Sequence, residues 1–188
     1  MNKNDYSADY ALGRNTINIF GPIDNQMAET VIGKLQYLDD KFKSGHVPIE
    51  QRVITIQINS PGGNVSDGFA IFDTMNFVDA KIATVGLGMA ASMGAFLLAA
   101  GTPGMRKATE NCEILIHQPL GGVIGQATEL IIAARHIEKT RVRLNTLLAR
   151  MTGQSIDRIN ADTERDNAMS ADEAAAYGLI DTVIRRTP

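Results

Sequence analysis

The chain has 188 residues, enough for one domain with a substantial core and short for two. With 44% hydrophobic and 21% charged residues its composition is that of an ordinary globular domain, neither fibrous nor disordered. A formal net charge of −3 and a pI near 5.6 remove any electrostatic reason to expect a nucleic-acid partner, and Arg185-Arg186 reads as solvated surface.

Taken in order, the start Met1-Asn2-Lys3-Asn4-Asp5 is polar and carries no apolar secretory core. Thr16 to Phe20 alternates and meets Gly21-Pro22, a strand followed by a turn. From Asp24 to Phe42 the apolar residues Met27, Val31, Leu35, Leu38 and Phe42 mark one face of a helix, capped by Asp24 and closed near Gly45. Val53 to Ile58 is a second strand, ended by the turn Asn59-Ser60-Pro61-Gly62-Gly63, and Phe69 to Phe77 reads helical. Lys81 to Val85 is a third strand, Ala90 to Ala99 a short helix of small residues, and Cys112 to Ile116 a fourth strand. Ile82 to Ala100 is too interrupted by small residues to span a membrane. The chain therefore reads as cytoplasmic.

The longest helical pattern runs from Gln126 to Met151, with Leu130, Ala134, Ile137, Leu144 and Leu148 on one stripe. At about 39 Å it outgrows a compact domain of this size, so part of it is expected to pack on another subunit. Ser170 to Glu173 fits a capping box, Ala174 to Tyr177 continues that helix to Gly178, and a last strand spans Leu179 to Ile184. Strand–helix alternation without a linker or a repeat predicts a single α/β domain. The lone Cys112 sits in an apolar run and is expected as a small buried hydrophobe.

Candidate chemistry gathers at four places. Ser92 stands where the glycine-rich segment Gly86 to Gly88 leaves a strand and a helix begins, with the amide of Met93 beside it. A serine needs a base. Of the three histidines, His46 falls in a polar loop and His136 within the long helix, whereas His117 ends a strand before a Pro/Gly loop. A carboxylate to orient that histidine could be Asp162 or Asp166, both in Asp162-Thr163-Glu164-Arg165-Asp166, and spacing does not choose between them. Gly63 in the Ser60-Pro61-Gly62-Gly63 turn could offer an unshielded N–H to an oxyanion.

These segments, together with Met89-Ala90-Ala91-Ser92-Met93-Gly94-Ala95 and Ile116-His117-Gln118-Pro119, resemble in order and content the proteolytic subunit of the Clp protease, the ClpP family. The resemblance covers Ile17 to Ile184. It implies the crotonase-like ββα spiral, a single domain with a protruding helix-strand handle at about residues 118–150 and an axial segment at residues 1–15. It implies serine endopeptidase activity with Ser92 as nucleophile, His117 as base, Asp166 as acid, and the amides of Gly63 and Met93 as oxyanion donors. Val65, Leu120 and Gly122 would contact an extended peptide, with Leu120 to Gln126 as the handle strand. Glu164 and Arg165 would be inter-ring sensors. Two stacked heptameric rings, homomeric or shared with a paralogue, an AAA+ unfoldase partner and unfolded polypeptide substrates complete the implied picture, with no cofactor, metal or membrane. Three features depart from the family pattern: the polar start Met1 to Tyr10, Thr55 and Gln57 where aromatic docking residues are usual, and a longer Ser44 to Gln51. Two alternatives stay open, a crotonase-type acyl-CoA enzyme and a weakly active ring subunit that scaffolds a paralogue.

Overall fold

A computed structural model of the chain describes residues 13–122 and 124–186. The axial segment expected at residues 1–15, including the polar start, lies almost wholly outside the described residues. Among the described residues seven strands form one mixed sheet: β1 (Thr16–Phe20), β2 (Val53–Ser60), β3 (Lys81–Ala91), β4 (Arg106–Thr109), β5 (Glu113–Ile116), β6 (Asn167–Met169) and β7 (Thr182–Ile184). Six helices among the described residues flank it: α1 (Asn25–Ser44), α2 (Val65–Phe77), α3 (Met93–Ala99), α4 (Ala127–Thr152), α5 (Ile156–Asp162) and α6 (Ala171–Tyr177).

Alternation builds the sheet. Ile17 and Ile19 of β1, and Ile54, Ile56 and Ile58 of β2, turn the same way and are fully buried. Val31, Leu35, Leu38 and Phe42 of α1 cover them, and the Asp24 carboxylate caps that helix by accepting from the Met27 N–H at 2.8 Å. The main path runs β1-β2-β3-β4-β7, all parallel.

β3 is where the spiral turns. Thr84 to Gly86 pair with β4, while Met89 to Ala91 pair with β5. Between them Gly88 takes φ +69, a left-handed value that lets the strand bend and change partner. This corrects two expectations: the strand continues to Ala91 instead of ending at Val85, and the helix begins at Met93, not Ala90. Ala90 and Ala91 are small enough for either element, and their pairing to Ile114 and Leu115 decides it.

Other boundaries shift for similar reasons. α2 starts at Val65 because the Asn64 side chain caps it, accepting from the Asp67 N–H at 3.1 Å. β4 and β6 are too short to show a period, and β7 is confined to Thr182–Ile184 although Leu179 and Ile180 are buried. A 3-10 turn at Ile49–Gln51 occupies the long Ser44 to Gln51 segment. The handle strand expected at Leu120 to Gln126 does not form among the described residues. Gly121, Gly122 and Gly125 weaken it, and no strand among the described residues fills its ladder.

α4 begins in a capping box of Gln126 and Glu129 and ends at Gly153 with φ +76. Only Asn145 and Leu148 on it are buried, while Leu130, Ile131, Ile132 and Val142 are exposed, so the stripe packs on its own domain near the C-terminal end alone. Behind the sheet the buried Arg106 bonds Asp181 at 2.5 Å and donates to the carbonyls of Met151 (2.7 Å) and Gly178 (2.9 Å). It thereby ties the C-terminal ends of α4 and α6 to β4.

Candidate active site

Three neighbouring strand ends make the site. β5 lies between β3 and β6, parallel to the first and antiparallel to the second. Ala91 is opposite Leu115, and the next residue, Ser92, donates its backbone N–H to the Leu115 carbonyl at 2.8 Å. On the other side Ile116 pairs with Asn167, so one further antiparallel step sets His117 across from Asp166. The His117 Nδ1 lies 3.0 Å from the Asp166 Oδ1. A carboxylate only accepts, so Nδ1 is the donor in this pair, and a neutral imidazole held this way presents its Nε2 lone pair.

Ser92 takes φ 54 and ψ −121, one of only three non-glycine residues with positive φ among those described. Such a conformation costs on the order of 1–3 kcal/mol and persists only when its surroundings hold it. Here they do. A Cβ on Gly62 would stand 2.6 Å from the Ser92 Cβ, 2.7 Å from the Ala91 carbonyl oxygen and 3.0 Å from the Met93 nitrogen. The Pro-Gly-Gly turn after β2 therefore presses directly on the bend at Ser92.

Two backbone amides flank it. Met93 is the first residue of α3, where an N–H has no helical acceptor. Around Gly63, the Ile23 N–H donates to the Gly62 carbonyl and the Asn64 N–H to the Ile23 carbonyl, each at 2.8–2.9 Å. Those bonds lie on one side of the chain, and alternation turns the Gly63 N–H to the other.

Ser92 and His117 share the wall of a narrow cavity of about 40 Å³ with Val65, Met93, Phe96, Ile116, Pro119, Leu144, Asn145, Leu148 and Thr163. Its lining is mostly apolar, suited to an apolar side chain beside the reacting bond. Ser92 and His117 line this cavity together, but the Ser92 hydroxyl and the imidazole make no direct hydrogen bond, and a proton transfer between them would require them to close up. Asn145 was not legible as a site residue. It is 2% exposed and donates to Asn160 Oδ1 (2.8 Å) and Thr163 Oγ1 (3.1 Å), holding the cavity floor. The signal available was one amide inside an apolar stripe.

The other expected residues divide. Asp162 is engaged elsewhere, accepting from the Tyr177 hydroxyl at 2.8 Å and from Arg158 at 3.3 Å. Val65 lines the narrow cavity and a larger one beside it, and Leu120 lines only the larger. Gly122 lines neither. Glu164 and Arg165 are exposed, and the Glu164 carbonyl accepts from the Gln118 side chain at 2.9 Å. His46 and His136 are exposed, and neither lines the cavity that Ser92 and His117 share. Among the described residues no three His, Cys, Asp or Glu side chains could hold a metal, and no helix is long and apolar enough to cross a membrane.

The family model for the Clp protease matches residues 2–187, nearly the whole chain. The chain belongs to the Clp protease family. An ATP-dependent Clp protease proteolytic subunit from Ligilactobacillus salivarius (strain UCC118) is similar to it, 50% identical over 169 residues, which cover 90% of this chain and 82% of the relative. The mixed α/β domain is the Clp protease fold, and the protein is a proteolytic subunit of the Clp type, a serine endopeptidase. That removes the acyl-CoA alternative.

Proposed function

We propose that this Clp-type subunit cleaves peptide bonds with Ser92 as nucleophile, His117 as base and Asp166 as the carboxylate that orients the base. The observation that carries this reading is the order of strand ends, Ser92 at the exit of β3, His117 at the end of β5 and Asp166 at the entry of β6. Nε2 of His117 takes the hydroxyl proton as Ser92 Oγ attacks a peptide carbonyl. The amides of Gly63 and Met93 receive the oxyanion, and the imidazolium gives its proton to the leaving amine. Water then attacks the acyl-enzyme by the same route. Val65 and the Leu120 to Gly122 segment bracket an extended peptide, which would supply the strand partner that this segment lacks.

By likeness to its relative, the subunit works with a Clp-type ATPase that consumes the ATP, since its own sequence has no Gly-x-x-x-x-Gly-Lys-[Ser/Thr] loop. It assembles into two stacked heptameric rings, through the handle at about residues 118–150, with Glu164 and Arg165 sensing the ring contact and residues 1–15 at the axial entrance. The apolar residues exposed on α4 support a role in assembly. The substrates are unfolded polypeptides and the location is cytoplasmic, a reading with which the single buried thiol is compatible.

The open Ser92–His117 contact favours a second reading, in which the subunit is weakly active and scaffolds an active paralogue. One experiment separates them. The purified homo-oligomer, given a short fluorogenic peptide and a fluorophosphonate label, should turn over and be labelled at Ser92, and Ser92→Ala should lose both while keeping its assembly size. Unchanged turnover in Ser92→Ala would refute the nucleophile; activity only on mixing with a paralogue would establish the scaffold.

A further inference from the structure

Past Val65 and Pro119 the narrow cavity adjoins a larger one of about 510 Å³. One wall is α4, which contributes His136, Lys139 and Arg143 to the lining. Their i, i+3, i+7 spacing puts all three on one helix face. No aspartate or glutamate lines this cavity. Neither of the two carboxylates on α4 is among its lining residues. Glu129 accepts from the Gln126 backbone N–H at 2.9 Å, and Glu138 is clamped by Arg141 at 2.7 and 2.8 Å. Neither Lys139 nor Arg143 forms an ion pair among the described residues.

Arg143 is also held in place. Its guanidinium carbon sits 4.1 Å over the Phe69 ring, and Phe69 packs edge-on against Phe96 with centroids 5.8 Å apart. A guanidinium over an aromatic ring still has N–H donors to offer a planar acceptor. The result is a concave site beside the reacting serine with an uncompensated positive lining, fixed at one point and partly walled by apolar groups.

We propose that this cavity binds a carboxylate of the peptide substrate through Lys139 and Arg143, with His136 beside them, and so gives cleavage a preference for acidic peptides. The proposal rests on the reading that the peptide is cut at Ser92. An extended peptide advances about 3.3 Å per residue and turns every second side chain to one face, so an acid a few positions from the cut reaches the cavity. The carboxylate has two sources, an Asp or Glu side chain or the free C-terminus of a short peptide.

The test uses the full-length assembled protein and short fluorogenic peptides in which Glu or Gln is walked through each position, with free or amidated C-termini. Glu at one position should raise kcat/KM over Gln roughly fivefold, and high salt should shrink the gain. Lys139→Gln should bring the Glu/Gln ratio towards one, and Lys139→Glu should turn the preference to Lys. If the gain follows the free C-terminus and not Glu, the source is the terminal carboxylate. A ratio of one both for Glu over Gln and for the free over the amidated C-terminus, or a preference that survives Lys139→Glu, overturns the proposal. Binding of the same peptides to Ser92→Ala, read by fluorescence anisotropy, should show the same ratio in Kd, and equal affinities would sink the carboxylate site. Cleavage by Ser92→Ala would instead sink the nucleophile assignment, with the anisotropy ratio still judging the cavity.

Discussion

Replacing Gly62 by alanine tests how tightly the bend at Ser92 is built. Gly62 has φ +89, and the added methyl would meet the Ser92 Cβ at 2.6 Å, the Ala91 carbonyl oxygen at 2.7 Å and the Met93 nitrogen at 3.0 Å. Two of those atoms are backbone and the third is anchored to it, so no flexible side chain can move aside. The left-handed backbone costs an L residue about 1–2 kcal/mol, and forcing a methyl into a packed site adds about 1–3 kcal/mol. Gly62→Ala should therefore lose roughly 2–5 kcal/mol in denaturant unfolding at fixed protein concentration. Because the clash falls on Ser92 and Met93, fluorophosphonate labelling per folded subunit should drop as well. Gly104→Ala is the control: φ is +85 but nothing lies within 4 Å, so only the backbone cost of about 1–2 kcal/mol applies. Equal stability losses in the two variants, with Ser92 labelling intact in Gly62→Ala, would refute the claim that Gly62 braces the bend.

Other consequences can be read from single substitutions. Asp166→Asn would present an amide to His117 Nδ1 and favour the wrong tautomer, lowering kcat by about 100- to 10,000-fold; Asp162→Asn should cost about 1–2 kcal/mol of stability and leave the pH–rate profile in place, since Asp162 serves Tyr177 and Arg158. Burial would raise the Asp181 carboxyl, but hydrogen bonds from Arg106 and the Gly104 amide outweigh it and hold the group below its usual value of 3.8. Its contribution is present above that value and is lost as acid protonates the folded group, so denaturation midpoints should fall steeply on acidification below about pH 4. Asp181→Asn should flatten that limb and cost about 3–5 kcal/mol by stranding Arg106, and an unchanged acid limb would refute the pairing. Burial, then the Glu113 charge, pushes the Cys112 thiol up to about 11. It should react with iodoacetamide near neutral pH only after unfolding, and rapid labelling of the native protein would contradict its burial.

Much of the architecture was legible because its signals are local. The stripe Val31, Leu35, Leu38, Phe42 with Asp24 ahead of it specifies α1, and Ser170 with Glu173 specifies the start of α6. What escaped has a common cause. Ala90 and Ala91 fit a helix or a strand, and only their partners on β5 make them strand. No neighbour of Arg106 in the sequence points to its burial, and its partner Asp181 stands 75 residues away. Asp162 and Asp166 are alike in sequence, and they separate only because β6 pairs with β5 in a register that aims Asp166 at His117.

Local chemistry settles the types of the main elements and the order of motifs that marks the Clp protease family, because hydrophobic period, caps and turn residues act over a few neighbours. Tertiary structure alone decided which partner each half of β3 takes, which aspartate faces His117, and that Lys139 and Arg143 line a cavity beside Ser92. Those outcomes depend on hydrogen-bond ladders and packing between segments tens of residues apart, and no local pattern encodes the register in which distant strands meet.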